Sequence, residues 1–280
     1  MSASVLVGID FGASNTDVVA RTNDGDTRHW LLPTVGAPSV DAVRRALASG
    51  GVQLADCGWL AVTGGDRRAL PAVIDGVALV GVDEVSAIGR GGRALAGVDE
   101  ALVTSAGSGT AVVAASPAGS RHVTGTGVGG GTLVGLARLL CGVTDPRALD
   151  VLASDGRDAV LNLTIGDVIG GAIGSLPADT TAVNFGRVAR HPVDASSADM
   201  AAALVNLVAQ VIGVITINAA RAERLPHAVI VGHLTDMPSI RRVLGLVATY
   251  YGATLTLPSD AGQATALGAL LVALERDATS

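Results

Sequence analysis

The chain has 280 residues, 49% of them apolar and only 2% aromatic, and carries a net charge of −6. That length suits one large domain or two medium ones with a substantial core of Ala, Val, Leu and Ile, and the mildly acidic balance gives no electrostatic reason to expect nucleic acid or an anionic membrane as partner. All 19 basic residues are arginine, which excludes a lysine Schiff base and the lysine of a Walker P-loop.

In chain order, residues 5–8 form a short apolar run that ends in IDFGAS. A β-rich run over 16–21, the polar turn Asn23-Asp24-Gly25-Asp26 and a third run over 27–32 follow, so the chain opens as strand, tight turn, strand, polar turn, strand. Residues 38–49 have helical spacing and stop at Gly50-Gly51. Strands are expected over 59–62 and 77–82. Asp83 then reads as the N-cap of a helix towards Leu95, although Gly89, Gly91 and Gly92 disfavour helix. At Ala101 the opening pattern restarts: LVTSAGSGTAVVAA, then SPAGS, then RHVTGT. The repeat implies two similar α/β lobes, residues 1–100 and 101–280, with a cleft between them. Beyond it come a helix over 130–140 and another from Asp145-Pro146 to about Ser154. An irregular stretch over 162–192 leads to a long apolar helix over 197–224, which belongs in the core or against its own copy in a dimer. A buried strand over 227–232, a helix over 239–251, a strand over 254–257 and a helix over 261–276 close the chain.

Cys57 and Cys141 form neither a disulfide framework nor a metal-ligand spacing, so a reduced, cytoplasmic setting is expected. The N-terminal stretch has no basic leader or cleavage site, and no apolar run reaches membrane-spanning length without a polar interruption.

Three glycine-bearing elements carry the chemistry. Asp10 ends an apolar strand beside a small-residue turn. It is either an acid that holds Mg²⁺ through water while the turn's N–H groups meet phosphate, or an ordinary capped strand end. The second hairpin, around Ser108, offers a matching set of N–H and hydroxyl donors. The third element, HVTGTGVGGGTLVGLARLL, places five glycines within ten residues and then starts a helix whose positive end points back at the loop. It lacks the dinucleotide fingerprint spacing. A tight strand-to-helix corner would use glycines equally well.

IDFGAS, VTGG (62–65), DEVSAIGRG (83–91), GSGT (107–110), the glycine-rich element, TAVNFGRV (181–188), AVIVGHL (228–234) and AGQATALGALL (261–271) together resemble the type II, eukaryotic-like pantothenate kinases of the actin-like ATPase and sugar kinase superfamily. The fold this implies is the duplicated two-lobed actin-like (ribonuclease H-like) one. The activity it implies is ATP- and Mg²⁺-dependent phosphorylation of pantothenate, the first step of coenzyme A biosynthesis, by a cytoplasmic homodimer. By the same resemblance Asp10 positions the metal, and Gly12, Ala13, Ser14 and Asn15 line one phosphate hairpin. Ser108, Gly109 and Thr110 line the other, and Gly125, Gly129, Gly130 and Gly131 form the third loop. Gly232, His233 and Gly262 lie by the nucleotide, and Glu84 is the base that takes the proton from the acceptor hydroxyl. Acceptor binding falls to Ser108, Ala111, Arg121 and His122.

The chain departs from the family where it reads GAS (12–14) in place of the usual GGT, and at three further positions. Asp17 stands where a lysine is usual, Ala111 where a serine is, and His122 where an arginine binds the acceptor. His122 either binds a carboxylate when protonated or is a plain strand histidine. These changes keep open a kinase of the same fold with a different hydroxyl acceptor, and a nucleotide-binding protein without transferase activity.

Overall fold

The computed structural model describes residues 5–22 and 24–278. Met1–Ser4 of the expected leader-free N-terminus and Asn23 of the first polar turn lie outside them. The first sheet is built from β1 (Val5–Phe11), β2 (Asn15–Arg21), β3 (Thr27–Pro33), β4 (Cys57–Gly64), β5 (Val73–Ile74) and β6 (Val77–Gly81), in spatial order β3-β2-β1-β4-β6-β5. Two helices belong to this stretch, α1 (Val40–Ser49) and α2 (Glu84–Ala96).

The second half repeats the scheme with β7 (Ala101–Ala106), β8 (Thr110–Ser116) and β9 (Gly119–Thr126). It continues through α3 (Gly130–Cys141), α4 (Pro146–Ser154), β10 (Leu163–Thr164), α5 (Ile165–Ile169), β11 (Thr181–Val183) and α6 (Ser197–Glu223). β12 (Ala228–Val231), α7 (Pro238–Tyr250), β13 (Leu255–Thr256) and α8 (Ala264–Asp277) complete it. The second sheet runs β13-β12-β7-β8-β9. In each sheet an antiparallel three-stranded meander is continued by parallel strands, β4 beside β1 and β12 beside β7. The duplication legible in the sequence is therefore a duplicated topology.

Local chemistry accounts for the helix boundaries. The Asp83 carboxylate accepts from the Ser86 N–H at 2.8 Å and starts α2; Asp145 accepts from Ala148 N–H at 2.8 Å, with Pro146 in the first turn, and starts α4. The stretch over 162–192, expected to be irregular, contains β10, β11 and α5. There Thr164 and Asp167 satisfy each other's backbone N–H groups as a capping box, a Thr-x-x-Asp signal present in the sequence. Helix α6 is long and apolar enough, by length and composition, to cross a membrane, yet 61% of its apolar window is buried within the protein. Asn206, Gln210 and Thr216 interrupt it, and Thr216 Oγ1 lies 2.8 Å from Thr104 Oγ1 of β7.

The glycines of α2, which disfavour helix by propensity, have a packing reason. Helices α2 and α8 cross between the two sheets with their backbones in contact. A Cβ on Gly91 would lie 1.8 Å from Ala264 O, and one on Gly268 would lie 1.8 Å from Ala87 O. On its other side α8 rests on β1, where a Cβ on Gly8 would come within 2.3 Å of Ala266 O. Thus α2 packs on the second sheet, with Ile88 among Val103, Val113 and Val229, while α8 packs on the first, with Leu270 against Val19. Residue 100 separates the sheets in sequence, but these two helices interlock them.

Gly268→Ala is expected to destabilise by about 1–3 kcal/mol, because two backbones must separate. Gly245→Ala in α7, where a Cβ meets nothing within 4 Å, is expected to stabilise by about 0.5–1 kcal/mol through helix propensity. Urea unfolding of both variants checks the contrast. Equal effects would refute the close-crossing account.

Candidate active site

The two meanders turn towards each other across a cleft of about 590 Å³. The carboxyl ends of β1 and β7 open into it, as ligand sites in parallel α/β sheets do. Asp10, residues 12–15 and Asp17 come from the first lobe; Ser105, Gly107, Ser108, Gly130 and Gly131 come from the second. Gly232, His233, Gly262 and Thr265 line it as well. Ser14 Oγ lies 2.8 Å from Ser108 Oγ, so the two hairpin turns touch. The first turn is braced by Thr34, whose hydroxyl donates to Gly12 O at 2.8 Å and whose N–H donates to Ser14 O at 3.0 Å. A larger groove of about 950 Å³ between α6, α7 and residues 156–182 contains Thr181 and Ala182 of the TAVNFGRV stretch but none of the candidate catalytic, nucleotide or acceptor residues.

Asp10 faces Asp17 across the antiparallel pair β1–β2 and Thr63 across the parallel pair β1–β4. Burial pushes its carboxyl up to about 8; Asp17 and Glu84 add to the rise and His233 opposes it. Thr63 is fully buried and its hydroxyl has no hydrogen-bond partner. Asp17, at the position where the family resemblance leads one to expect a lysine, is buried and accepts from His233 Nε2 at 2.8 Å, while His233 Nδ1 sits 2.8 Å from Asp236. The two carboxylates hold the imidazole protonated and raise it to about 10, against the cost of burial. A cation therefore stands in the cleft beside the substituted position. Both ring nitrogens of His233 are committed to carboxylates, so its charge is balanced by Asp17 and Asp236.

The glycine-rich loop has a more specific task than flexibility. Gly130 N–H donates to Gly107 O at 2.8 Å and Gly131 N–H to Ser108 O at 2.9 Å. The first amides of α3 thus hold the second hairpin turn. A Cβ on Gly129 would lie 2.7 Å from Ser108 O, and one on Gly125 2.7 Å from Thr110 O. Thr110 donates its hydroxyl to Val128 O at 2.8 Å. Gly109, Thr110, Gly125 and Gly129 therefore do not line the cleft. They form the backbone-on-backbone layer behind it, and only Gly130 and Gly131 of the loop reach the cavity.

The acceptor-side residues divide between the faces of the second sheet. Ala111 packs with Val113 and Ala115 against the α2 side, and His122 is the register partner of Val113. His122 thus shares the α2 face with Ala111, and Glu84 is exposed at the start of that helix. Arg121 points the other way and pairs with Glu223 of α6 at 2.5 Å. Its guanidinium is turned from the cleft, so of the two adjacent candidates only His122 is on the α2 side. None of these four residues lines the 590 Å³ cavity.

Further residues line the cleft without having been found in the sequence. Leu133, Val134 and Arg138 of α3 form one wall, with Thr144 and Pro146 before and at the start of α4, and Leu234 and Met237 complete it. The apolar periodicity of α3 was visible, but which of its faces meets the cleft depends on α4 and on the turn after β12. Among the described residues there is no cluster of three or more His, Cys, Asp or Glu able to hold a metal by themselves.

Comparison with known proteins agrees with this architecture. The activator of the 2-hydroxyisocaproyl-CoA dehydratase from Clostridium difficile, solved with bound ADPNP, superposes with a TM-score of 0.66 at 16% identity, over 98% of this chain and 96% of that one. A ROK family glucokinase from Streptomyces griseus, solved with glucose and AMPPNP, gives a TM-score of 0.60 at 16% identity, over 97% of this chain and 100% of that one. At such identities these likenesses establish the fold, that of the actin-like ATPases and sugar kinases. In sequence, a type II pantothenate kinase of Bacillus cereus is 29% identical over 175 residues, 62% of this chain and 64% of that protein, so the match spans just under two thirds of the relative's length. The family model described as Fumble matches residues 101–259, more than half of the chain. The duplicated meanders, the facing hairpin turns and this match lead to one conclusion: the chain belongs to the Fumble family, that of the type II pantothenate kinases.

Proposed function

We propose that this protein transfers the γ-phosphoryl group of ATP to the primary hydroxyl of pantothenate. The observation that carries the reading is the pair of small-residue hairpin turns from the two lobes, in contact at Ser14 and Ser108, with the Asp10 carboxylate beside them in the same cleft. Phosphoryl transfer asks the protein for positioning and charge stabilisation more than for covalent chemistry. The turns supply backbone N–H groups and hydroxyls for the phosphates. The wall of Leu133, Val134 and Met237 offers apolar surface to a nucleobase.

The cleft's donors suit Mg²⁺, a hard ion that takes oxygen ligands and is commonly held by one or two carboxylates together with substrate phosphates. Asp10 is the residue that would hold it, directly or through water, and the ion would neutralise charge on the phosphates. Glu84, whose charge is felt at Asp10, would take the acceptor's proton. His122, on the α2 side of β9, is the group available for pantothenate's carboxylate. We expect the enzyme to work as a cytoplasmic homodimer. The B. cereus relative's name, and the nucleotide analogues bound in the two structural neighbours, support the same reading.

A second reading keeps the kinase chemistry and changes the acceptor. Ala111 and His122 favour it, since an acceptor without a carboxylate needs no arginine. A nucleotide-binding protein without transfer is the third, and the exposed Glu84 at the α2 start weighs against it.

Three outcomes are expected. Pantothenate should stimulate ADP release from Mg·ATP, and Glu84→Gln should lower kcat by about 10²–10⁴-fold with little change in the KM for ATP; ATP binding without stimulation would overturn the pantothenate assignment. His122→Arg should lower the KM for pantothenate several-fold, and an unchanged value would move the carboxylate site elsewhere. Because Asp10 titrates near 8 and must lose its proton to bind a cation, Mg²⁺ affinity should weaken as pH falls below about 8, by up to about tenfold per unit. Calorimetry in two buffers of different ionisation enthalpy would detect the released proton, and Asp10→Asn should abolish that release.

A further inference from the structure

Behind the first hairpin lies a connection that the phosphoryl-transfer chemistry does not use. Asp17 sits on β2 of the first sheet, two residues after the phosphate turn. Asp236 lies in the short 3-10 turn after β12 of the second. His233 stands between them with one ring nitrogen 2.8 Å from each carboxylate. Both nitrogens can donate only if the ring is an imidazolium, so this is a charge-assisted chain running from one lobe to the other.

Two backbone features are shaped around it. A Cβ on Gly262 would fall 2.3 Å from the His233 ring, so only glycine leaves room for the imidazole there. Gly232, at φ +101°, turns the chain so that the residue after β12 enters the cleft, and a Cβ there would meet Ala106 O at 2.5 Å. Asp17 has a side-chain exposure of 10% and His233 one of 27%, whereas Asp236 is 54% exposed. The Asp17–His233 link is therefore the desolvated half of the chain and the stronger of the two.

We propose that His233 is a positioning residue: bound to Asp17 on one lobe and Asp236 on the other, it fixes the first hairpin against the second lobe and so sets how tightly the nucleotide phosphates are held. The proposal rests on the nucleotide-binding reading above. Without the link, the first turn keeps its brace from Thr34 but loses its side-chain tie to the second lobe behind the Ser14–Ser108 contact. Asp17 would also be left as a buried, unpaired carboxylate in an already acidic cleft.

The test is a double-mutant cycle of Asp17→Asn and His233→Ala, read on the KM for ATP, on kcat and on urea unfolding. Each single variant is expected to raise the KM for ATP about tenfold, with kcat within about threefold of wild type. The double variant should be no more than about twofold worse than the poorer single, because the second change removes a link already broken. A purely structural contact would move the unfolding midpoint and leave the KM alone, and that result, or additive effects on KM, would overturn the proposal. Gly262→Ala gives a second route that removes no charge. It should raise the KM for ATP in the wild-type background, by displacing the ring, and add nothing in the His233→Ala background. Equal effects in both backgrounds would also overturn the proposal. Failure of the nucleotide reading is distinguishable, since the wild-type protein itself would then bind no Mg·ATP.

Discussion

The constraint on which the rest of the structure depends is the crossing of α2 and α8 between the two sheets. With scarcely any aromatic residues available, the two lobes cannot be joined through large interlocking side chains. They are joined by bringing backbones together, with Gly91 against Ala264, Gly268 against Ala87, and Gly8 of β1 against Ala266. Close approach of this kind maximises dispersion contacts per residue and leaves few rotamers to order. It also fixes the distance between the sheets. The first residue of α2 is Glu84, and α8 follows directly on the turn that carries Gly262, so the same crossing that holds the lobes together places Gly262 at the cleft and Glu84 on the α2 side of the second sheet.

The cleft shows the same economy of bulk. Its second hairpin is not a free loop: the first amides of α3 grip its carbonyls, and Thr110 grips the loop in return. The glycine-rich stretch is thus a backing layer whose rigidity is passed to Ser108, which faces the cavity. That arrangement suits a site that must hold its donors in place before the ligand arrives, because groups already oriented need not reorganise when charge develops.

Charge in the cleft is balanced by a compact device. Burial lifts Asp10 far above the ordinary carboxylate range, and the nearby charges of Asp17 and Glu84 add to the rise. The imidazolium of His233, held between Asp17 and Asp236, opposes that rise. Asp17, which by sequence alone looks like the loss of a needed positive charge, instead anchors one supplied from the opposite lobe.

Much of this was determined by the sequence alone. Apart from β5 and the elements within residues 162–192, the order of strands and helices, the caps at Asp83 and Asp145, the duplicated meander and the small-residue turns after Asp10 and over 106–110 follow from periodicity and local hydrogen bonding, which act over a few residues. So does the separation of Arg121 from His122, since neighbours on a strand point to opposite faces. The tertiary structure alone decided which glycines serve packing and which border the cavity, which face of α3 forms a wall, and that α8 returns to the first sheet. It also decided that Asp17 meets His233, 216 residues away along the chain. The physical reason is the same in each case: a close approach or an ion pair between distant segments depends on where two lobes come to rest, and that position is set by the α2–α8 crossing rather than by anything within reach of the residues concerned.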